Sequence, residues 1–125
     1  LPDNDLTSPV NYRVIRYADV LLMGAEAHNR KASPNDAVAL DYVNQVRARV
    51  NMNPLSSSGN QLTEDIWKER RLELSCEGFR FFDLVRTGKA KEMIVNFEEN
   101  KHEVFPIPQV EIDLAGGNWD QNSGY

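Results

Sequence analysis

The sequence is poor in the residues that most often build chemistry, with one cysteine, Cys76, and two histidines, His28 and His102. A single cysteine excludes an internal disulfide, and so few nitrogen and sulfur ligands offer no metal-site spacing. A phosphate-cradling loop is missing too, since Gly116-Gly117 runs into Asn118 and Trp119 rather than Lys and Ser. Nucleophile and base do not occur in any recognisable pairing. The 14 Lys and Arg are interleaved with 19 Asp and Glu for a net charge of −5, which leaves no basic face to neutralise phosphates. No apolar run approaches the roughly 18 residues of a membrane-spanning helix. The expectation is a chain that is not an enzyme, takes no cofactor or metal, and has no nucleic-acid partner. Cys76, between Leu74 and Gly78, is expected to be a small buried side chain within a helix rather than a nucleophile. His28 reads as a polar residue at a helix end.

What is present points to helices. The 125 residues are 41% hydrophobic and 26% charged, the size and balance of one globular domain with a single core. Leu1-Pro2-Asp3-Asn4-Asp5 has neither an initiator Met nor a signal pattern, so the chain reads as a mature or trimmed piece, with residues 1–11 as a linker end. From about residue 12 to Arg30, Val14, Tyr17, Ala18, Leu21, Leu22 and Ala25 form one helical stripe. Ile15, Val20 and Met23 add apolar surface on other sides, as expected of a helix inside a helical layer.

A second helix is predicted over 34–50, with Ser33 as its cap, Pro34 in its first turn, and Ala39, Val43, Val46 and Val50 facing the first helix. The short Lys31-to-Ser33 link makes the pair an antiparallel hairpin, close to one degenerate tetratricopeptide unit. After a loop rich in serine, a third helix is expected over 63–77, capped by Thr63, with Leu62 stapled to Trp67. Gly78 then breaks the chain before a short helix to Arg86, and a further helix is placed over 89–98. Phe105-Pro106-Ile107-Pro108 is extended, Gln109 to Ala115 makes a turn or two, and the rest is a wrapped tail. The fold class is therefore all-α: tetratricopeptide-like hairpins with an irregular extended C-terminal tail.

The densest constellation is Glu69-Arg70-Arg71-Leu72-Glu73-Leu74 followed by Glu77-Gly78-Phe79-Arg80-Phe81-Phe82-Asp83-Leu84-Val85-Arg86. Alternating charges invite an acid/base reading, but Arg70 with Glu73 and Arg80 with Asp83 are helix neighbours, and arginine satisfies buried carboxylates well. A structural role is expected, pinning helices across the Gly78 break. Trp119 is the weak candidate for ligand binding, because sugar faces stack on indole while neighbouring Asn and Asp bond hydroxyls. The blander alternative is a tail tryptophan tucked against the helices.

Arg16-Tyr17-Ala18-Asp19-Val20-Leu21-Leu22-Met23-Gly24-Ala25-Glu26-Ala27 resembles a signature of the SusD/RagB family. Val43 to Arg49, Glu69 to Leu74, Glu77 to Gly88, Phe105 to Asp113 and the closing Gln121-Asn122-Ser123-Gly124-Tyr125 agree in order. Gly24, where a bulky residue is commoner, Cys76, and Phe81 in place of Trp are small departures. The resemblance implies an outer-membrane, surface-exposed lipoprotein, lipid-anchored through an N-terminal region outside this chain, that captures glycans or other nutrients for a SusC-like TonB-dependent transporter. Members are much longer, so residues 1–125 correspond to a C-terminal helical domain, and no motif carries binding residues over. The competing reading is a tetratricopeptide-like protein-interaction adaptor. The Pro-containing tail argues against it, since adaptor repeats continue as helix pairs.

Overall fold

Residues 13–125 are described by a computed structural model, and they are all-α, with no strand among them. They divide into two compact units that meet in sequence at Ser75 and Cys76.

The first unit holds three helices, α1 (Tyr17–Arg30), α2 (Asp36–Arg49) and α3 (Gly59–Glu73). Each packs on the other two. Leu21, Leu22, Ala25, Ala39, Val43, Val46, Leu62 and Ile66 form the core between them. The hairpin of α1 and α2 is antiparallel, as the short link demands. The Asn35 amide bonds the His28 carbonyl at 2.9 Å. Gly24 lies against the Tyr42 ring, where an added Cβ would come within 2.9 Å of Cδ2, so the ring takes the space a bulkier residue would need.

Helix boundaries depart from the sequence reading where distant residues set them. Helix α1 begins at Tyr17, not near residue 12, which lies outside the described residues. Arg16, its cap residue, is extended, and its guanidinium reaches α3, 2.6 Å from Glu73 Oε1. Val14 and Tyr17, expected in the core stripe, are exposed, as is Val50, which follows α2 instead of belonging to it. Asn35, not Ser33, caps α2 by accepting the Val38 amide at 3.2 Å, which leaves Pro34 outside the helix.

Helix α3 starts four residues before Thr63, at Gly59. Asp36 Oδ2 accepts the Gly59 amide at 2.7 Å and Asn29 Nδ2 donates to the Gly59 carbonyl at 3.2 Å. The helix start is thus held by groups on the other two helices. Thr63 is an interior residue whose hydroxyl donates to Asn29 Oδ1 at 2.5 Å. The predicted staple does not arise, because α3 has begun before Leu62, which is fully buried in the core; Trp67 lies under the Arg30 guanidinium, 5.3 Å from the ring centre.

Asn29 Nδ2 also donates to Asp36 Oδ1 at 2.8 Å, and the Gly59 amide first and this Asn29 side chain second hold the Asp36 carboxyl below its ordinary value. A depressed carboxylate contributes stability above its unfolded pKa, about 4, and loses it as pH falls through the lower folded value. Amide exchange at Gly59, followed by NMR, is therefore expected to accelerate below pH 4 beyond the intrinsic trend. Asp36→Asn should remove that acid step, and an unchanged profile in the variant would disprove the assignment.

The second unit carries α4 (Arg80–Arg86), α5 (Ala90–Met93) and α6 (Gln109–Leu114). Gly88 ends α4 with φ +71°. Its amide bonds the Val85 carbonyl and that of Lys89 bonds Leu84, the paired closure that a left-handed glycine permits. Helix α5 is a single turn rather than 89–98, because Ile94 turns extended and Asn96 is left-handed at φ +62°. Cys76, expected inside a helix and buried, is exposed and left-handed at φ +66°, since α3 has already ended at Glu73.

The tail is pinned by side-chain amides. Gln121 accepts the Ile107 amide at 2.7 Å and donates back to the Ile107 carbonyl at 2.8 Å, copying a strand pair without a strand. Asn122 donates to the Phe105 carbonyl at 2.7 Å, and the Tyr125 hydroxyl to Val104 at 3.1 Å.

Candidate functional site

The charged constellation of α3 resolves into ion pairs between helices. Arg70 is paired with Asp19 of α1, and both side chains are over nine-tenths buried. Glu69 takes Arg47 of α2 at 2.5 Å. Glu73 is shared by Arg16 at 2.6 Å and Arg49 at 2.7 Å. The sequence reading paired Arg70 with Glu73 along one helix. The fold instead gives Arg70 the Asp19 carboxylate of α1, and Glu73 the guanidiniums of Arg16 and Arg49. In the second unit Asp83 pairs with Arg86 at 2.8 Å, with the arginine side 40% exposed. The neighbour that Asp83 takes is thus Arg86, not the Arg80 that the spacing suggests. The carboxylates of Asp19, Glu69 and Glu73 are occupied in holding helices together, and that of Asp83 is paired within α4.

Three places could meet a ligand. Trp119 follows α6 and is 54% exposed, so its indole is open rather than tucked away. Of the polar groups expected to help it, Asn118 donates to the Ala115 carbonyl at 2.7 Å and Gln121 and Asn122 are engaged with the tail backbone. Asp120, the next residue in sequence, is exposed. An exposed indole suits stacking on a sugar face.

A cleft of about 440 Å³ opens where α1 ends and α3 begins, lined by Arg30, Lys31, Asn60, Thr63, Glu64 and Trp67 among others. Sequence reasoning missed it. Arg30 and Trp67 are brought together only by the packing of α1 on α3, and nothing local announces that. The Arg30 guanidinium, held at 2.8 Å by Glu26, covers one indole face, and the Trp67 Nε1 is buried without a hydrogen-bond partner among the described residues.

In the second unit Phe81, Phe97, His102, Phe105 and Tyr125 line a shallow hollow of about 380 Å³. The His102 ring meets Phe97 edge-on at 5.7 Å, and its Nδ1 accepts the Glu98 amide at 3.0 Å. Lys101 sits over the Tyr125 ring at 5.6 Å. This lining is aromatic and offers few hydroxyl partners. His28, in the last turn of α1 as expected, packs edge-on to Tyr42 at 5.7 Å. Among the described residues, no three His, Cys, Asp or Glu are grouped to hold a metal, and no helix is long and apolar enough to cross a membrane.

Comparison with known proteins gives a consistent result. The SusD family model matches residues 3–102. The chain is 43% identical over 95 residues to SusD-like protein P38 of Formosa agariphila, a match that covers 67% of this chain and 18% of that protein. It is 32% identical over 140 aligned positions to SusD-like protein P2 of the same bacterium, covering 98% of this chain and 28% of that one. Among solved structures, a laminarin-binding SusD-like protein is similar with a TM-score of 0.75 and 43% identity, over 90% of this chain and 23% of that one. The chain thus spans less than a third of the length of these relatives.

Proposed function

Because this chain belongs to the SusD family, we propose that it is a non-catalytic, C-terminal helical part of a surface glycan- or nutrient-binding lipoprotein serving a SusC-like TonB-dependent transporter at the outer membrane. The observation that carries the reading is the likeness, at 43% identity and over 90% of the chain, to a solved SusD-like protein that binds laminarin. The interior supports a scaffold role, since the carboxylates and guanidiniums that sequence alone leaves open to catalysis are used between helices. Within the chain, Trp119 is the candidate contact. One stacked indole contributes about 1 kcal/mol, whereas a micromolar complex needs about 8 kcal/mol, so most of the binding energy comes from the rest of the protein.

Isothermal titration of the complete gene product against laminarin and a panel of other soluble polysaccharides tests this. A micromolar complex with one glycan is expected, weakened only severalfold by Trp119→Ala. Absence of binding across the panel would sink the reading, and abolition of binding by Trp119→Ala would make the tail the principal site instead.

A further inference from the structure

The chain from Glu98 to Glu103 makes a turn outside any helix, and side chains that can take up protons close it. The His102 amide donates to the Glu98 carbonyl at 3.0 Å, and the Glu98 amide donates back to His102 Nδ1 at 3.0 Å. Asn100, left-handed at φ +65°, supplies the bend between them. The Glu103 carboxylate takes the Asn100 amide, its own and that of Lys101, which hold it below the ordinary carboxylate range. The imidazole also forms a wall. Its ring meets Phe97 edge-on at 5.7 Å, and the two line the hollow of the second unit together with Phe81, Val104, Phe105 and Tyr125.

A ring nitrogen that accepts a main-chain N–H carries no proton, so the turn fixes the tautomer with hydrogen on Nε2. Protonation puts a hydrogen on Nδ1 and sets it against the Glu98 N–H. The groups around the ring decide where it then goes. Lys101 takes Glu98 at 3.2 Å, and Lys91 of α5 takes Glu99 at 2.5 Å. The Glu103 carboxylate and the His102 charge attract one another. Across the hollow stands Tyr125, its hydroxyl on the Val104 carbonyl and its ring under Lys101, and the remaining lining is uncharged.

We propose that His102 is an acid-released latch on this turn. Neutral, it holds the Glu98 amide and keeps its edge on Phe97. Protonated, it gives up that amide, turns to the Glu103 carboxylate and remodels the wall of the aromatic hollow. Glu103 stays ionised through the change, because its amide bonds keep it charged to lower pH, so the step belongs to the imidazole. The latch is independent of the glycan read for the complete protein.

The test follows the Glu98 amide by NMR in the complete gene product between about pH 8 and about pH 5, with the intrinsic trend of exchange divided out. Exchange is expected to become about fivefold faster in acid, the scale of one lost hydrogen bond. His102→Asn offers Oδ1 in place of Nδ1 and takes up no proton in this range, so it should keep the neutral protection throughout. His102→Phe keeps a ring beside Phe97 without an acceptor, and its Glu98 amide should exchange fast at both ends. The Phe97 ring protons of the parent should shift with the same midpoint as the amide. A parent without the acid step overturns the latch, as does an Asn variant that retains it. Phe97 signals that stay fixed while the amide is released overturn the remodelled wall. If His102→Phe does not fold, the Asn variant decides.

Discussion

Asp19→Ala is expected to destabilise the first unit by about 3–5 kcal/mol, the range for removing one member of a buried ion pair. The Asp19 and Arg70 side chains are 5% and 8% exposed, so water cannot replace the lost carboxylate without opening the contact between α1 and α3. The cost arises mainly from stranding the guanidinium and much less from losing attraction, since pairing two buried charges roughly offsets their desolvation. That account makes a second, sharper claim. Asp19→Leu combined with Arg70→Met replaces the pair by apolar groups and should recover most of the loss. Denaturant melts at equal slope provide the measurement. If Asp19→Ala were within about 0.5 kcal/mol of the parent, the pair would be as inconsequential as an exposed one. If the double variant were no better than the single, stranded charge would not be the cause.

This pair also marks the limit of what sequence could reveal. The helices themselves were legible, because apolar spacing is a local property and the packing of Leu21, Leu22, Ala25, Val43 and Val46 obeys it. The stop after α4 was legible as well, since Gly88 adopts the left-handed backbone that a glycine there suggests. What sequence misplaced were contacts between residues far apart in the chain. Arg70 has a carboxylate three residues away, that of Glu73, and local spacing favours it, yet it pairs 51 positions away with Asp19. The start of α3 was displaced for the same reason. Thr63 is a good cap by composition, but Asp36 and Asn29, on two other helices, hold the backbone at Gly59 and let the helix begin a turn earlier.

The candidate site was less legible than the fold. Trp119 could be picked out because an indole among Gly, Asn and Asp is a local pattern, and the structure does leave it exposed. The cleft at Arg30 and Trp67 had no such signal, as its walls come from the end of one helix and the first turns of another. In the same way Cys76 seemed helical and buried only because the helix was read four residues too far.

The first unit's stability should hinge on Leu22 as much as on Asp19. Leu22 is fully buried, in one cluster with Val43 of α2 and Leu62 and Ile66 of α3, so its side chain serves three helices. Truncation removes its transfer free energy and leaves a cavity whose walls are themselves fixed, at about 24 cal/mol for each Å³ left open. Leu22→Ala is therefore expected to cost about 2–5 kcal/mol. The second unit gives no comparable anchor, since its buried apolar residues among those described are Leu84 and Ala90, with Leu74 preceding the division. The control is Leu72→Ala on α3, a leucine of equal size that is 56% exposed, which should stay within about 0.5 kcal/mol of the parent. Hydrogen exchange adds location to the magnitude. Amides of α1 and α3 should lose protection together in Leu22→Ala, because both helices share the emptied volume, while those of α4 and α6 keep theirs. A loss for Leu72→Ala equal to that for Leu22→Ala would mean that the core lies on the other side of α3, and the three-helix packing described for residues 17–73 would have to be abandoned.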